Sequence, residues 1–197
     1  MHVESTISDT KMQEQAGIAN TLFKKGRFRE ALEKYLLVAE AGSIEAQLLV
    51  GWIYQVGRGV EKNLNESHYW FLKAIESNAP EAQFYLGRLY EQERKYQEAI
   101  NCFRKSAMQN YLPSIYQMGT MYALGKGVVR NKEEAYKHYE QAANLGHLMA
   151  QREVGIMMVK GHRGVKKIPQ GILTLMRIPY KVVRLALKNI EDDRLRW

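Results

Sequence analysis

The chain has 197 residues, of which 46% are hydrophobic and 25% are charged, values typical of a folded protein with one or two domains. No run of about 18 apolar residues occurs, so we expect no membrane-spanning helix. The single cysteine, Cys102, excludes an internal disulfide framework and a cysteine zinc site.

The net charge of +8 is concentrated towards the end of the chain. Residues 160–197 contain ten basic and three acidic residues, a net charge of +7, whereas the preceding residues together carry +1. The distribution predicts a balanced domain followed by a cationic segment. The polar first residues show no basic start followed by an apolar core, so no secretory signal is visible and we expect a cytoplasmic protein.

A short sequence motif that ends in a small residue recurs along the chain. A faint first copy places Ala19 at this position, and the later copies end at Gly51, Gly87, Gly119 and Gly155. The glycine spacings are 36, 32 and 36 residues, and such periods indicate stacked supersecondary units. Three residues after the glycine, the four later copies carry Tyr54, Tyr90, Tyr122 and Met158. The recurring tyrosines are predicted to pack rather than to contact a ligand.

Each copy is predicted to contain two helices. Apolar residues around Gly87 follow helical spacing, and residues 96–107 supply a second helix with Ala99 and Phe103 on one side. No stretch alternates cleanly between apolar and polar residues, so we predict no strand. Asn131 with Glu134 resembles a capping box. The residues that indicate helix starts are Pro80, Pro113, Ser43, Asn65 and Asn131.

Small residues are predicted to mark close contacts between helices. Glycine inside a helix costs about 1 kcal/mol relative to alanine, so its recurrence at one register indicates a neighbouring helix there. A small residue near the start of each second helix is predicted to be its partner, and a larger residue follows four positions later. The small residues are Ala31, Ser67, Ala99, Ala135 and Gly171. The larger residues are Tyr35, Phe71, Phe103, Tyr139 and Leu175. This register lets neighbouring hairpins nest.

The long units contain a glycine-rich loop, which reads Gly-Arg-Gly-Val at 57–60 and Gly-Lys-Gly-Val at 125–128 and is altered at 161–165. Asn63 and Asn131 follow the first two loops. These motifs resemble the Sel1-like repeat, and the short units resemble the related tetratricopeptide repeat. The resemblance covers roughly residues 12–178. It implies an all-α, right-handed α-solenoid of about five helix-turn-helix repeats with a concave and a convex face.

No group of residues indicates catalysis. The Gly-x-Gly loops lack the preceding strand of a dinucleotide-binding motif, so we interpret them as positive-φ turns whose valine packs into the core. Cys102 is interpreted as a buried structural thiol. The histidines, interpreted as surface or packing residues, are His2, His68, His138, His147 and His162. We predict a protein that is not an enzyme and uses no cofactor or metal; an undetected hydrolase is a further alternative.

The partner-binding candidates lie at positions that differ between repeats. In tetratricopeptide-like stacks the first helix lines the concave face, three residues before and one after the glycine position. The resemblance therefore implies a binding surface at Leu48, Trp52, Phe84, Arg88, Tyr116, Thr120, Arg152 and Ile156. Aromatic residues with arginines are typical of protein recognition, and the alternative is that some of these rings pack between repeats.

Some tetratricopeptide domains hold a C-terminal carboxylate with lysine and asparagine side chains. Asn20 matches the first asparagine of that motif, but Ala16 and Trp52 replace the lysine and the next asparagine. We therefore expect no such carboxylate clamp in this chain.

Residues 171–178 are predicted to form the last second helix, which Pro179 interrupts or kinks. A further amphipathic helix is predicted over residues 181–191, with Lys181, Arg184 and Lys188 on its polar side as candidate contacts to lipid or another polyanion. This helix either caps the last repeat or meets anionic lipid, and no motif favours nucleic acid.

The sequence therefore predicts two regions, a repeat solenoid over residues 1–178 and a basic amphipathic C-terminal helix over residues 179–197. We interpret the protein as a cytoplasmic, non-catalytic adaptor that binds a peptide or helix of a partner protein on its concave face. An acidic partner segment would complement Arg88 and Arg152. The alternative function is a peripheral tether to anionic lipid or nucleic acid through the C-terminal helix.

Overall fold

The computed structural model describes the backbone of residues 2–178 and the side chains of residues 10–178. Its helices are α1 (His2–Lys24), α2 (Phe28–Glu40), α3 (Ile44–Val56), α4 (Leu64–Ile75), α5 (Pro80–Gln92), α6 (Tyr96–Met108), α7 (Leu112–Leu124), α8 (Lys132–Asn144) and α9 (Leu148–Val159). A 3₁₀ turn (Val165–Lys167) leads into residues 168–178, which are helical and are labelled α10. Residues 2–178 contain no strand, so the predicted all-α class is confirmed.

Consecutive helices pack as hairpins, α1 with α2, α3 with α4, α5 with α6, and α7 with α8. The connecting loops are short (25–27 and 93–95) or longer (57–63 and 125–131), as expected from the two kinds of repeat unit. The chain divides into two compact units, of which the first ends at Gln109 and the second begins at Asn110. Unit 1 therefore contains α1–α6, and unit 2 contains α7–α10.

The recurring glycines lie where the first helix of a pair meets the second. A Cβ atom added to Gly51 would lie 2.6 Å from Cε1 of Phe71, and one added to Gly87 would lie 2.7 Å from Cε1 of Phe103. In unit 2 the same construction places Gly119 against Tyr139 and Gly155 against Leu175, at 2.6 and 2.8 Å. Each partner is the larger residue predicted from the register. The nesting prediction is therefore confirmed within each of these pairs.

The last pair departs from the repeat because its helices approach more closely. A Cβ atom added to Gly171 would lie 2.7 Å from Cβ of Met158 and 2.9 Å from the carbonyl oxygen of Gly155. The equivalent position in the preceding pair is Ala135. The closer approach of α9 and α10 explains why this copy carries glycine instead of alanine.

The helix starts confirm most of the predicted caps and correct one of them. Ser43 caps α3 by accepting the Ala46 N–H at 3.4 Å, and Pro80 is the first residue of α5. The prediction of Asn65 as a cap was wrong by two residues. Asn63 caps α4, and its Oδ1 accepts the N–H groups of Asn65 and Glu66 at 3.0 and 3.1 Å.

The predicted capping box at α8 forms only in part. Asn131 Oδ1 accepts the N–H groups of Glu133 and Glu134 at 3.0 and 3.1 Å. The Glu134 carboxylate does not return to Asn131 and instead pairs with Lys137 Nζ at 2.6 Å. The Asn131 N–H donates to the Tyr122 carbonyl at 2.9 Å, as the Asn63 N–H does to the Tyr54 carbonyl at 2.9 Å.

The glycine-rich loops are positive-φ turns, as predicted. Gly57 ends α3 at φ 71°, and Gly125 ends α7 at φ 70°. Val60 packs against the core of unit 1. The prediction for the valine was wrong in the third loop, where Val165 is 76% exposed. That loop has one extra residue between its glycines, which shifts the valine into the 3₁₀ turn.

The tyrosines three residues after the glycines are half-buried and pack against the hydrophobic clusters, as predicted. Burial raises the pKa of Tyr54 and of Tyr90. The Tyr122 ring stacks on His138 with centroids 5.5 Å apart.

Two glutamines make a recurring contact that the sequence analysis did not identify. Gln47 Nε2 donates to the Ala39 carbonyl at 3.1 Å, and Gln151 Nε2 donates to the Ala143 carbonyl at 3.1 Å. Each bond joins a first helix to the last turn of the second helix before it. Each of these carbonyls also accepts a backbone N–H, from Gly42 and from Gly146, so the glutamine adds a second donor at a helix end.

Candidate protein-binding surface

Three of the predicted binding residues line one groove in unit 1. Trp52 lies on α3, and Phe84 and Arg88 lie on α5, all at the two register positions selected from the sequence. The groove has a volume of about 320 Å³, and its lining also includes Gln55, Val56, Tyr85 and Gln92. We call it the α3–α5 groove. Its other lining residues were not identified from the sequence, because they do not occupy those two positions.

The α3–α5 groove combines apolar surface with one exposed cation. Val56 is 47% exposed, and Trp52 and Phe84 are half-buried. Arg88 is exposed and makes no ion pair with another described residue. Gln55 Nε2 donates to Gln92 Oε1 at 3.1 Å and so links α3 to α5 beside the groove. The site can accept an apolar side chain beside a carboxylate.

The Trp52 ring packs beside other aromatic rings of unit 1. Its ring lies 6.1 Å from that of Phe23, and the Arg58 guanidinium carbon lies 5.9 Å from the Trp52 centroid and 4.4 Å from that of Phe28. Arg58 belongs to the glycine-rich loop, which was interpreted only as a turn. The loop therefore also contributes an exposed guanidinium whose nearest ring is Phe28 and which reaches cation–π distance of Trp52.

Leu48 is not part of the α3–α5 groove. It is half-buried and packs against the cluster that contains Phe71, Leu86 and Leu89. Its register position is the same as that of Phe84, but its side chain contributes to the core.

The predicted residues on α7 take part in internal packing in unit 2. The Tyr116 ring stacks on His147 at 4.7 Å and lies 5.5 Å from the Tyr139 ring. Tyr139 donates from its hydroxyl to Thr120 Oγ1 at 3.2 Å, and burial raises the pKa of Tyr139 to about 12. The sequence alternative, in which rings pack between helices, therefore describes Tyr116 better than an open binding position.

The predicted residues on α9 are more accessible. Arg152 is exposed and pairs with Glu153 at 2.9 Å, whereas Ile156 is half-buried. A separate groove of about 280 Å³ in unit 2 includes neither residue in its lining. It is lined by Glu140, Ala143, Asn144, Gln151, Val154, Met158, Gln170, Thr174 and Arg177. No sequence signal identified this groove, because its residues come from three helices at unrelated register positions.

The remaining candidates have plain structural roles or fall outside the structure. Cys102 is buried, as expected for a structural thiol, and burial raises its pKa to about 11. Asn20 Oδ1 accepts the Tyr35 hydroxyl at 2.6 Å, and its neighbours include Glu45, a carboxylate that disfavours an anionic ligand. Lys181, Arg184 and Lys188, with the predicted C-terminal helix, lie outside the described residues.

The histidines among residues 10–178 serve in packing, capping or at the surface. His68 pairs with Glu93 at 3.0 Å, and His147 Nδ1 accepts the Ala150 N–H at 3.2 Å to cap α9. His162 is exposed. No group of three potential metal ligands from histidine, cysteine and acidic side chains occurs among the described residues. None of the described helices has the length and apolar character that a membrane span requires.

Helix hairpins joined by a glycine-to-aromatic contact in constant register define an α-hairpin repeat protein of the tetratricopeptide kind. The family comparison agrees, because the Sel1 repeat matches residues 44–78 and 112–147 and the tetratricopeptide repeat matches residues 80–111. A crystal structure of a Sel1 repeat protein from Oxalobacter formigenes is 30% identical, with a TM-score of 0.70 over 84% of this chain and 72% of that one. The chain belongs to the Sel1 repeat family.

Two further relatives give the extent of the similarity. A putative sel1-like repeat-containing protein, L21, of Acanthamoeba polyphaga mimivirus is 32% identical over 112 residues, which are 57% of this chain and 21% of the viral protein. The structure of c5321, a protective antigen of uropathogenic Escherichia coli, has a TM-score of 0.69 at 24% identity over 84% of this chain and 38% of that one, which shows a shared fold. The chain spans about a fifth of the length of the curated relatives that it matches.

Proposed function

We propose that the chain is a non-catalytic adaptor that binds a segment of a partner protein in the α3–α5 groove. Sel1 and tetratricopeptide repeats generally mediate protein–protein interaction and are typically non-catalytic. The observation that supports this particular site is an unpaired, exposed Arg88 beside the half-buried rings of Trp52 and Phe84. Aromatic and arginine side chains supply most of the binding energy in many protein interfaces.

The chemistry of the groove favours an acidic peptide or helix with one apolar anchor. The anchor would fill the space between Val56 and Phe84, and a carboxylate would pair with Arg88. A volume of about 320 Å³ holds one or two side chains, so the contact is a short one. Because Trp52 is half-buried and already packs beside Phe23, less side-chain entropy is lost when a partner binds.

The test is selection of phage-displayed random peptides on the full chain, followed by affinity measurement with the selected peptide. Arg88→Glu should weaken binding by at least about tenfold, because it replaces a charge-assisted pair with repulsion. Changing the peptide carboxylate to lysine should restore binding to this variant. Arg104→Glu, an exposed arginine on α6, is the matched control and should leave the affinity unchanged.

A second variant tests the apolar part of the groove. Val56→Asp places a carboxylate on its exposed edge and should abolish binding while leaving the thermal unfolding temperature close to that of the unmodified chain. Peptides that bind equally well to the Arg88→Glu and Val56→Asp variants would contradict the proposal. Preferential selection of basic peptides would contradict the assigned charge.

A further inference from the structure

Helix α10 carries an exposed apolar face. Leu173 is 49% exposed and Met176 is 72% exposed, and Pro169, four residues before Leu173, is also exposed. Residues spaced by three and four lie on the same side of a helix. The opposite side, with Gly171 and Leu175, packs against α9. The face is therefore formed by side chains that hairpin packing leaves in water.

The apolar character of this face distinguishes α10 from the two second helices before it. The positions of Pro169, Leu173 and Met176 correspond to polar residues in the two preceding second helices. These are Gln97, Asn101 and Arg104 in α6, and Glu133, Lys137 and Glu140 in α8. In α4 the same positions carry Asn65, Tyr69 and Leu72, and the last two are 54% and 50% exposed. An exposed apolar pair at this register therefore also occurs in unit 1, and α10 differs from α4 in its basic sequence context.

The sequence before and within α10 is strongly basic. Residues 154–178 contain five basic residues and no acidic residue. Arg163 pairs with Glu133 at 3.1 Å, whereas Lys160, Lys166, Lys167 and Arg177 make no ion pair with any residue in the described part of the chain. Lys166 and Lys167 lie just before α10, where a cation opposes the helix dipole. Lys167 Nζ donates to Gln170 Oε1 at 3.3 Å, and neither lysine has the negative charge that a helix N-terminus favours.

Charge disfavours a second copy as the occupant of this face. A second copy would bring the same unpaired cations together. The chain's own residues 179–197 contain five basic and three acidic residues, so that segment also carries a net positive charge, of +2. A following helix that packed on α10 as α9 packs on α8 would leave Leu173 open, because Lys137 at the equivalent position is exposed. It would partly cover Met176, because Glu140 at the equivalent position is half-buried.

We propose that this face of α10, with Lys160, Lys166, Lys167 and Arg177, docks the protein on an anionic lipid surface. Leu173 and Met176 enter the boundary between headgroups and acyl chains, and the cations contact lipid phosphates and carboxylates. A convex helix face suits a lipid surface better than a peptide. The groove of unit 2 borders this face, and its lining from α10 is Gln170, Thr174 and Arg177. The site uses none of the residues that line the α3–α5 groove.

The test is co-sedimentation of the full chain with vesicles of phosphatidylcholine alone or with about 30% phosphatidylserine. We expect binding only to the anionic vesicles. Lys166→Gln with Lys167→Gln should weaken binding about 25-fold, because each cation near an anionic surface contributes about fivefold. Leu173→Ser with Met176→Ser should weaken it at least about tenfold, since both apolar insertions are lost.

Matched control variants replace the same types of side chain at exposed positions outside α10. Met108→Ser with Val129→Ser replaces two exposed apolar residues, and Lys24→Gln with Lys25→Gln replaces two exposed cations. Both should leave vesicle binding unchanged. None of these variants changes the α3–α5 groove, so affinity for the selected peptide separates this proposal from the adaptor function.

Three results would overturn the proposal. The first is that the full chain fails to bind anionic vesicles. The second is that only Lys181→Gln with Arg184→Gln and Lys188→Gln reduces binding, which would assign the contact to the C-terminal segment. The third is a dimer that the Leu173→Ser and Met176→Ser changes convert to a monomer while vesicle binding persists, which would make the face an interface between copies.

Discussion

Asparagine caps replace hydrogen bonds that a helix cannot supply to its own first turn. Asn63 and Asn131 each accept two backbone N–H groups, and their own N–H groups donate to the carbonyls of Tyr54 and Tyr122. One residue therefore fixes both the end of a glycine-rich loop and the start of the next helix. The same residue type at the same register has the same role in both units.

We expect Asn63→Ala to lower the free energy of unfolding by about 1 kcal/mol, the usual cost of removing a helix cap. Asn65→Ala, two residues later, should change it little, because Asn65 is exposed and its side chain does not cap α4. Urea unfolding of both variants measures the difference. Equal losses for the two would contradict the assignment of Asn63 as the cap.

His147 makes the stability of unit 2 depend on pH. Burial lowers its pKa, and its Nδ1 can accept the Ala150 N–H only when that nitrogen is unprotonated. The unfolded state therefore binds the proton more readily, so stability falls as the pH decreases below about 6.5 towards the folded-state pKa. Burial also lowers the pKa of His138, which adds to the same trend.

His147→Asn should reduce this pH dependence, because asparagine keeps a cap acceptor and does not titrate. Thermal unfolding followed between about pH 7.5 and 5.5 should show a smaller decrease for the variant than for the unmodified chain. His162→Asn is the control, since His162 is exposed. An unchanged pH profile in the His147 variant would refute the assigned role.

At the scale of the helices, contact geometry decides where glycine is required. Gly51 is a helical residue whose Cβ would meet the Phe71 ring, whereas nothing lies within 4 Å of a Cβ added to Gly17. The two glycines look alike in a list of helix-breaking residues. Their opposite surroundings give them opposite expected responses to substitution.

Gly51→Ala should destabilise the chain by about 2 kcal/mol, because the added methyl group overlaps a buried ring that has little room to move. Gly17→Ala should stabilise it by about 0.5–1 kcal/mol, since alanine has the higher helix propensity and fits there. Denaturant unfolding of the two variants measures the sign of the change in the free energy of unfolding for each. Stabilisation by Gly51→Ala would disprove the close contact on which the repeat packing is based.

At the scale of the whole chain, the hairpins could be predicted because their signal is repeated. Glycines and larger residues recur in register, so the contacts of Gly51 with Phe71 and of Gly119 with Tyr139 follow from spacing alone. The cap at Asn63 was misplaced because Asn63 and Asn65 offer the same side chain to the same helix start. Val165 was misplaced because one inserted residue changes a loop without altering its motif.

The candidate site could be predicted only in part. Register selected Trp52, Phe84 and Arg88, which do line one groove. It also selected Tyr116, whose stacking on His147 depends on a residue outside the pattern. Register gives the side of a helix, whereas exposure depends on what the neighbouring helices place against it.

Salt should distinguish the two proposed contacts of the molecule. Peptide binding in the α3–α5 groove involves one cation, whereas docking of α10 on lipid involves four, so vesicle binding should fall far more steeply between about 0.05 and 0.5 M NaCl. Parallel titrations of the full chain with peptide and vesicles measure both slopes. If peptide binding and vesicle binding had the same dependence on salt concentration, the assignment of one cation to the groove and four to the lipid contact would be contradicted.

The position of Trp52 gives the protein an intrinsic optical reporter. Its indole lines the groove and also lies about 6 Å from the Phe23 ring and the Arg58 guanidinium carbon, whereas Trp70 is buried. Exclusion of solvent from the groove should therefore change the fluorescence emission of Trp52 and leave that of Trp70 constant. With Trp197 replaced by phenylalanine, occupancy could be followed in real time without a label.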